Sequence, residues 1–202
     1  MTRLVLATHN QGKVAELRRI LGGNDVVGLE EFPGVPEVAE TEPSFEGNAL
    51  LKARAVAAFT GLPAVADDSG LCVDALNDMP GVLSARWSGR FGAASGDRDA
   101  ANLQLVLDQL AEVPDERRGG AFVCAAVLVV PGGVEHCVEK RLRGTVARAP
   151  RGTGGFGYDP IFVPDGGTRT TAELTPAEKD AISHRGLAFR ALAALIPQAL
   201  AG

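Results

Sequence analysis

The feature that most narrows the possible folds is a pair of long runs, Ala121 to Val130 (AFVCAAVLVV) and Glu135 to Arg148, flanking Pro131-Gly132-Gly133. Two such runs around a Pro-Gly-Gly turn read as the strands of a hairpin, which is antiparallel by construction. The chain opens differently. Arg3 to Ala7 (RLVLA) is a short apolar strand, followed at once by polar residues and then by Val14, Leu17, Ile20 and Leu21 on one helical face. Gly22 and Gly23 supply a helix stop, and Asp25 to Leu29 (DVVGL) reads as a second strand. Strands mixed with helices, some of them in a hairpin, imply an α/β fold with a mixed sheet. A length of 202 residues suits a single domain, 1–202, with a continuous core.

The remaining elements follow from punctuation and period. Residues 30–43 carry Pro33, Pro36 and Pro43 among acids and suit an exposed loop; Ser44 then precedes a helix with Phe45, Ala49, Leu50, Ala53 and Val56 at helical spacing, ended by Gly61. Leu62 to Ala66 is a buried strand, and Leu71 to Asp74 continues it beyond a polar break at Asp67-Asp68-Ser69-Gly70. A turn-rich stretch from Asn77 to Gly92 leads to a helix over Asp97 to Val113, striped by Leu103, Val106, Leu107 and Leu110. Thr175-Pro176-Ala177-Glu178 is a capped helix start, and the helix runs to about Ala199 with a break near Ser183 to Gly186.

Composition removes several classes of function. A net charge of −5 argues against a nucleic-acid polymer as partner, because neutralising phosphates takes a clustered excess of Lys and Arg. The three cysteines, Cys72, Cys124 and Cys137, form no metal-ligand spacing, and their odd number suits a reducing compartment. The first residues are too short an apolar run for a signal peptide, and no run approaches a membrane span, so the expected location is the cytoplasm, with no membrane partner.

Four stretches carry chemistry. Thr8-His9-Asn10-Gln11-Gly12-Lys13 lies between a strand and a helix N-terminus, where backbone N–H groups and the dipole favour an anion such as phosphate. Lys13 fits an anion there, since a cation near a helix start opposes the dipole; an ordinary polar turn with a solvated lysine has the same composition. Asp67 and Asp68 end an apolar run, where a carboxylate is costly unless a cation compensates. Mg²⁺, which takes hard oxygen ligands and bridges carboxylates to phosphates, is the usual compensator, although Asp-Ser-Gly is also a common turn. In extended backbone the two aspartates point to opposite faces and have separate jobs. Gly152 to Pro160 (GTGGFGYDP) allows close backbone approach and offers Phe156 and Tyr158 for stacking, or is a tight loop with its aromatics in the core. Lys179 with Ser183-His184-Arg185 groups donors near the last helix, or is a solvated helix face.

Together these make a nucleotide site, and their spelling is similar to a known family. T-H-N-Q-G-K, F-E-G-N-A-L-L-K-A, A-D-D-S-G-L, P-G-V-L-S-A-R-W-S-G, G-T-G-G-F-G-Y-D-P-I-F and A-E-L-T-P-A-E-K-D-A-I-S-H-R-G stand in the order seen in the inosine/xanthosine triphosphate pyrophosphatases. The resemblance runs from about Leu4 to Ala188. It implies an elongated mixed β-sheet flanked by helices, two lobes with a central cleft, a homodimer, and Mg²⁺-dependent hydrolysis of dITP, ITP and XTP to the monophosphate and pyrophosphate. By the same resemblance Thr8 to Lys13 hold phosphates, Asp68 is the acid-base residue and a metal ligand, and Ser69, Phe156, Gly157, Tyr158, Asp159, Lys179, His184 and Arg185 complete the substrate site.

Attack of water on the α-phosphorus needs a base and cations, roles that Asp68, Mg²⁺, Lys13 and Lys52 fit. Lys52 follows Asn48 by one helical turn, so both can face one loop. Family members commonly have a glutamate directly before that asparagine, whereas here the order is Phe45-Glu46-Gly47-Asn48. The second metal ligand falls among Glu37, Glu40 and Glu42, of which Glu40 is chosen. Donors from His184 and Arg185 would match the C6 oxygen of hypoxanthine or xanthine and reject adenine by about 1–3 kcal/mol per unpaired group. The alternatives are a pyrophosphatase for modified pyrimidine nucleotides and a nucleotide-binding module without hydrolysis.

Overall fold

The computed structural model describes residues 3–8, 11–21 and 25–200, without the side chains of Gln11, Gly12, Ala15, Glu16 and Arg19. Strand β1 (Arg3–Leu6) leads into α1 (Gln11–Ile20) and β2 (Asp25–Val27), and α2 (Phe45–Thr60) into β3 (Ala64–Val73) and β4 (Met79–Pro80). Helices α3 (Gly89–Ala94) and α4 (Arg98–Gln109) precede the hairpin strands β5 (Gly119–Val129) and β6 (Glu135–Val146). Strand β7 (Phe162–Pro164) and helices α5 (Pro176–Ile182), α6 (His184–Ala193) and α7 (Ile196–Ala199) complete the chain.

The sheet order is β2-β1-β3-β5-β6-β7, with β4 paired to β3. Strand β1 is parallel to β2 and to β3, with Val5 opposite Val27 and Ala64, while β6–β7 and β3–β4 are antiparallel. The mixed sheet expected from the hairpin and the β-loop-α opening is therefore present. The turn between the hairpin strands closes through Gly133 N–H to the Val130 carbonyl and Val130 N–H to the Val134 carbonyl.

Several boundaries moved, each for a local reason. Strand β2 stops at Val27, and Leu29–Glu31 turn into a 3-10 helix that buries Leu29. The fourth helix, expected over Asp97 to Val113, runs from Arg98 to Gln109, with Asp97 as its cap rather than its first residue. The C-terminal segment is three helices; the break falls at Ser183, in extended backbone between α5 and α6. The largest correction concerns β3. No polar break interrupts it: Asp67, Asp68, Ser69 and Gly70 lie inside one ten-residue strand. Ladder hydrogen bonds use only backbone groups, so acidic side chains do not end a strand when neighbouring elements supply their counter-charges.

By its internal contacts the chain forms two compact units, one of residues 1–68, 124–140 and 184–202, the other of 69–123 and 141–183. In the first, Leu4, Leu6, Val65, Ala126 and Leu128 pack with Val14 and Leu17 of α1 and Phe189 and Leu192 of α6. Val5, Ala64, Ala66, Val127 and Val129 pack instead with Ala49, Ala53 and Val56 of α2. Strands covered on both faces explain the unbroken apolar spelling of β1 and β5. In the second unit, Leu71, Phe122 and Phe162 pack with Leu103 and Val106 of α4 and with Leu110 at its C-terminal cap. Truncating a fully buried residue such as Phe189 to alanine costs about 3–5 kcal/mol. Among the described residues no helix is long and apolar enough to cross a membrane.

Candidate active site

Because β3 is extended, its side chains alternate between faces. Val65 belongs to the cluster under α1 and α6, and Ala64 and Ala66 to the cluster under α2. Asp67 and Asp68 continue that alternation and are both almost wholly buried, at 2% and 6% exposure. Buried carboxylates need partners, and the two find different ones.

Asp67 accepts from Lys13 Nζ at 2.8 Å and from Arg185 Nε at 3.3 Å, with the Cys124 thiol at 3.9 Å. Lys13 and Arg185 stand in the first turns of α1 and α6, where positive charge opposes the helix dipole unless an anion neutralises it. Asp67 is that anion. Burial alone would raise its pKa, but the charges of Lys13, Arg185 and Lys52 hold the carboxyl far below the usual range. The placement of Lys13 is thus accounted for without a phosphate, because the counter-charge comes from a residue far off in sequence.

Asp68 faces α2. Asn48 donates to it through Nδ2 at 3.1 Å, and Lys52 Nζ lies 3.5 Å away, one helical turn further along. Burial, helped by Glu40, pushes the Asp68 carboxyl above its ordinary value against the pull of Lys52, Lys13 and Asn48. Lys52 also donates to Glu40 at 2.9 Å. Burial would lower the lysine pKa, yet Asp68, Asp67 and Glu40 raise it, so the ammonium stays charged. Asn48, fully buried, accepts the Glu42 N–H at 2.9 Å and so ties the acidic loop to Asp68 on β3. The sequence put Asn48 and Lys52 on one side of the helix but gave Asn48 no role; the signal for its bond to Asp68 was an asparagine inside an apolar helical stripe.

The displaced glutamate also finds an explanation. Glu46 lies beside the Cys137 thiol, whose pKa is pushed up to about 11 by burial and by that carboxylate. A Cβ at Gly47 would meet the Glu42 side chain at 2.6 Å, so a glutamate there cannot coexist with Glu42 as it stands. Of the three acids considered for the second metal ligand, Glu40 is the one bonded to Lys52 beside Asp68.

The second unit holds the glycine loop. Asp159, buried at the start of a short 3-10 turn, accepts from Phe156 N–H at 2.8 Å, Thr171 Oγ1 at 2.8 Å and Lys179 Nζ at 2.6 Å. Gly155 is left-handed, at φ 74°, and a Cβ there would strike that carboxylate. Lys179 lies 5.0 Å above the Phe156 ring, a cation-π contact. The two aromatics divide between the alternatives read from the sequence: Tyr158 is buried, its hydroxyl donating to the Ser84 carbonyl at 2.8 Å, while Phe156 keeps an exposed ring. Lys179 is placed by α5, whose N-cap Thr175 and N3 Glu178 form the expected capping box.

Ser183, His184 and Arg185 are buried rather than a solvated helix face, with Ser183 in the second unit and His184 and Arg185 in the first. Ser69 follows Asp68 in β3. Thr8 lines a pocket of about 300 Å³ with Leu29, Phe32, Pro33 and Val35. His9 and Asn10 lie outside the described residues, as do the side chains of Gln11 and Gly12.

A family model described as the Ham1 family matches residues 4–195. The chain belongs to the Ham1 family. Relatives in it include a dITP/XTP pyrophosphatase of Streptomyces coelicolor, 58% identical over 99% of this chain and 100% of that protein. Another, from Frankia alni, is 61% identical over 98% of each chain. Among solved structures, a Ham1 protein of Coxiella burnetii superposes with a TM-score of 0.87 at 41% identity, covering 98% of this chain and 100% of the other. A nucleoside-triphosphatase / dITP/XTP pyrophosphatase of Mycobacterium abscessus gives 0.76 at 59% identity, covering 96% and 99%. The resemblance seen in the motifs is thus a family relationship along the whole Ham1 chain, and the mixed α/β fold is the family's.

Proposed function

We propose that this chain hydrolyses deaminated purine nucleoside triphosphates, dITP, ITP and XTP, to the monophosphate and pyrophosphate. Relatives named dITP/XTP pyrophosphatase that match along nearly their whole length support the reading, and one observation carries it: a buried carboxylate with a raised pKa, Asp68, held between an amide donor and a lysine. A general base near neutral pH needs that kind of tuning. Asp68 takes a proton from the attacking water as its oxygen bonds to the α-phosphorus, and the bond from that phosphorus to the bridging oxygen breaks to release pyrophosphate. Lys52 holds positive charge beside the carboxylates, and Lys13 and Thr8 to Gly12 are assigned to the phosphates.

The donor set suits Mg²⁺. Asp68 and Glu40 present hard oxygens to one ammonium, and among the described residues no cluster of three His, Cys, Asp or Glu forms a closed site. Two carboxylates, with waters and phosphate oxygens for the rest, are how Mg²⁺ is ordinarily bound. Bound there, the ion would neutralise charge on the leaving pyrophosphate.

Ser69, Phe156, Gly157, Tyr158, Asp159, Lys179, His184 and Arg185 are assigned to the substrate, with Phe156 stacking on the base and His184 and Arg185 donating to the C6 oxygen. Asp67 orients Arg185, which makes the guanidinium a preset donor. Tyr158 and Asp159 act through the loop they anchor. The protein is assigned to the cytoplasm as a homodimer, with no membrane or nucleic-acid polymer as partner. Pyrophosphate release from a panel of triphosphates tests the reading: dITP and XTP should far outrun ATP and modified pyrimidine triphosphates, in a Mg²⁺-dependent way. Faster release from the pyrimidines would transfer the assignment to them.

A further inference from the structure

The glycine loop is held from two sides. Asp159 takes the N–H of Phe156 from within the loop, at 2.8 Å. The next N–H, that of Gly157, is taken at 2.9 Å by Asp99 Oδ2, which reaches over from the first turn of α4. These two amides bound the Phe156 residue, so fixing both restricts its backbone torsions on either side and with them the direction of the ring. Lys179, itself paired with Asp159, covers one side of that ring at 5.0 Å. Asp99 also makes itself felt at the neighbouring phenol: burial first, and the Asp99 charge second, push Tyr158 above its usual range. Residues 156–158 are therefore each held: Phe156 by Asp159 within the loop, Gly157 by Asp99 and Tyr158 by the Ser84 carbonyl.

We propose that Asp99 is a positioning residue of the substrate site, fixing the Gly157 amide so that the Phe156 ring is preset to stack on the purine. This rests on the nucleotide reading above and extends it to a residue outside the glycine motif. A preset ring lowers the ordering cost of binding, so the effect belongs in KM more than in the chemical step. An alternative role for an acid in the first turn of a helix is simple charge complementarity with the dipole. Asparagine separates the two, because it keeps an oxygen acceptor for Gly157 while losing the charge.

The test compares the full-length wild type with Asp99→Ala and Asp99→Asn, by steady-state kinetics on dITP and by amide hydrogen exchange at Gly157 read by NMR. Asp99→Ala should raise KM roughly three- to tenfold with kcat little changed, the range one hydrogen bond supplies, and should speed exchange at Gly157. Asp99→Asn should restore both. Wild-type KM and exchange in Asp99→Ala would overturn the proposal, as would an asparagine variant as impaired as the alanine one. If the wild type releases no pyrophosphate from dITP, the functional reading falls by itself. Gly157 exchange then decides Asp99: faster in the alanine variant alone supports the anchor, and equal in the wild type and both variants removes it.

Discussion

Asp67 and Asp68 are adjacent in sequence and opposite in electrostatics. Asp67, held below the usual carboxyl range once Lys13, Arg185 and Lys52 outweigh its burial, adds stability that is present above the unfolded pKa and lost as pH falls through the lower folded one. Asp68 is raised, chiefly by burial, so the folded state binds its proton more tightly and stability falls as pH rises from the ordinary carboxyl value through the folded one. Asp68→Asn should therefore lower turnover by roughly 10²–10⁴, while its melting temperature gains on the wild type as pH is raised from about 4 to 7, the side on which a free carboxyl of ordinary pKa ionises. Thermal unfolding at both pH values checks the trend, and a gap that shrinks toward neutrality would contradict it. Asp67→Asn should do the reverse: removing one partner of a buried pair costs about 3–5 kcal/mol, visible as a lower midpoint in urea. With Asp68 as the proposed base, wild-type activity should begin to fall on the acid limb above the ordinary carboxyl range, because burial raises its pKa.

At the scale of elements, the site depends on helix starts. Ser44 caps α2 by accepting the Gly47 N–H, and the same helix then presents Asn48 and Lys52 to Asp68. Ser44→Ala should cost about 1 kcal/mol with turnover nearly kept. Asn48→Ala leaves the Glu42 N–H unpaired and Asp68 with Lys52 alone, a loss of about 1–3 kcal/mol, and should depress kcat as well; equal kcat in the two variants would deny Asn48 a part in placing the proposed base. These elements were legible in the sequence because caps are local: Ser44, Asp97 and the Thr175–Glu178 box stand where a helix begins and bond within three residues. The continuity of β3 was not legible, since Asp-Asp-Ser-Gly is turn chemistry by composition and only the cations on α1, α2 and α6 make it tolerable in a strand.

Over the whole molecule, neither compact unit is an unbroken stretch of chain, and β3, β5 and β6 each carry residues of both. We expect one cooperative unfolding transition, with far-UV and near-UV signals coincident; two resolved transitions would mark the units as independent. The apolar runs, the helical stripes, the hairpin turn and the caps could all be taken from the sequence, because each is an interaction within one element or between neighbours in the chain. So could the presence of two costly acids in an apolar run. Which acid met which cation was decided by tertiary structure. Asp67 and Asp68 differ in nothing local; α1 and α6 close over one face of the strand and α2 over the other, and the partners on those helices drive one carboxyl down and leave the other raised.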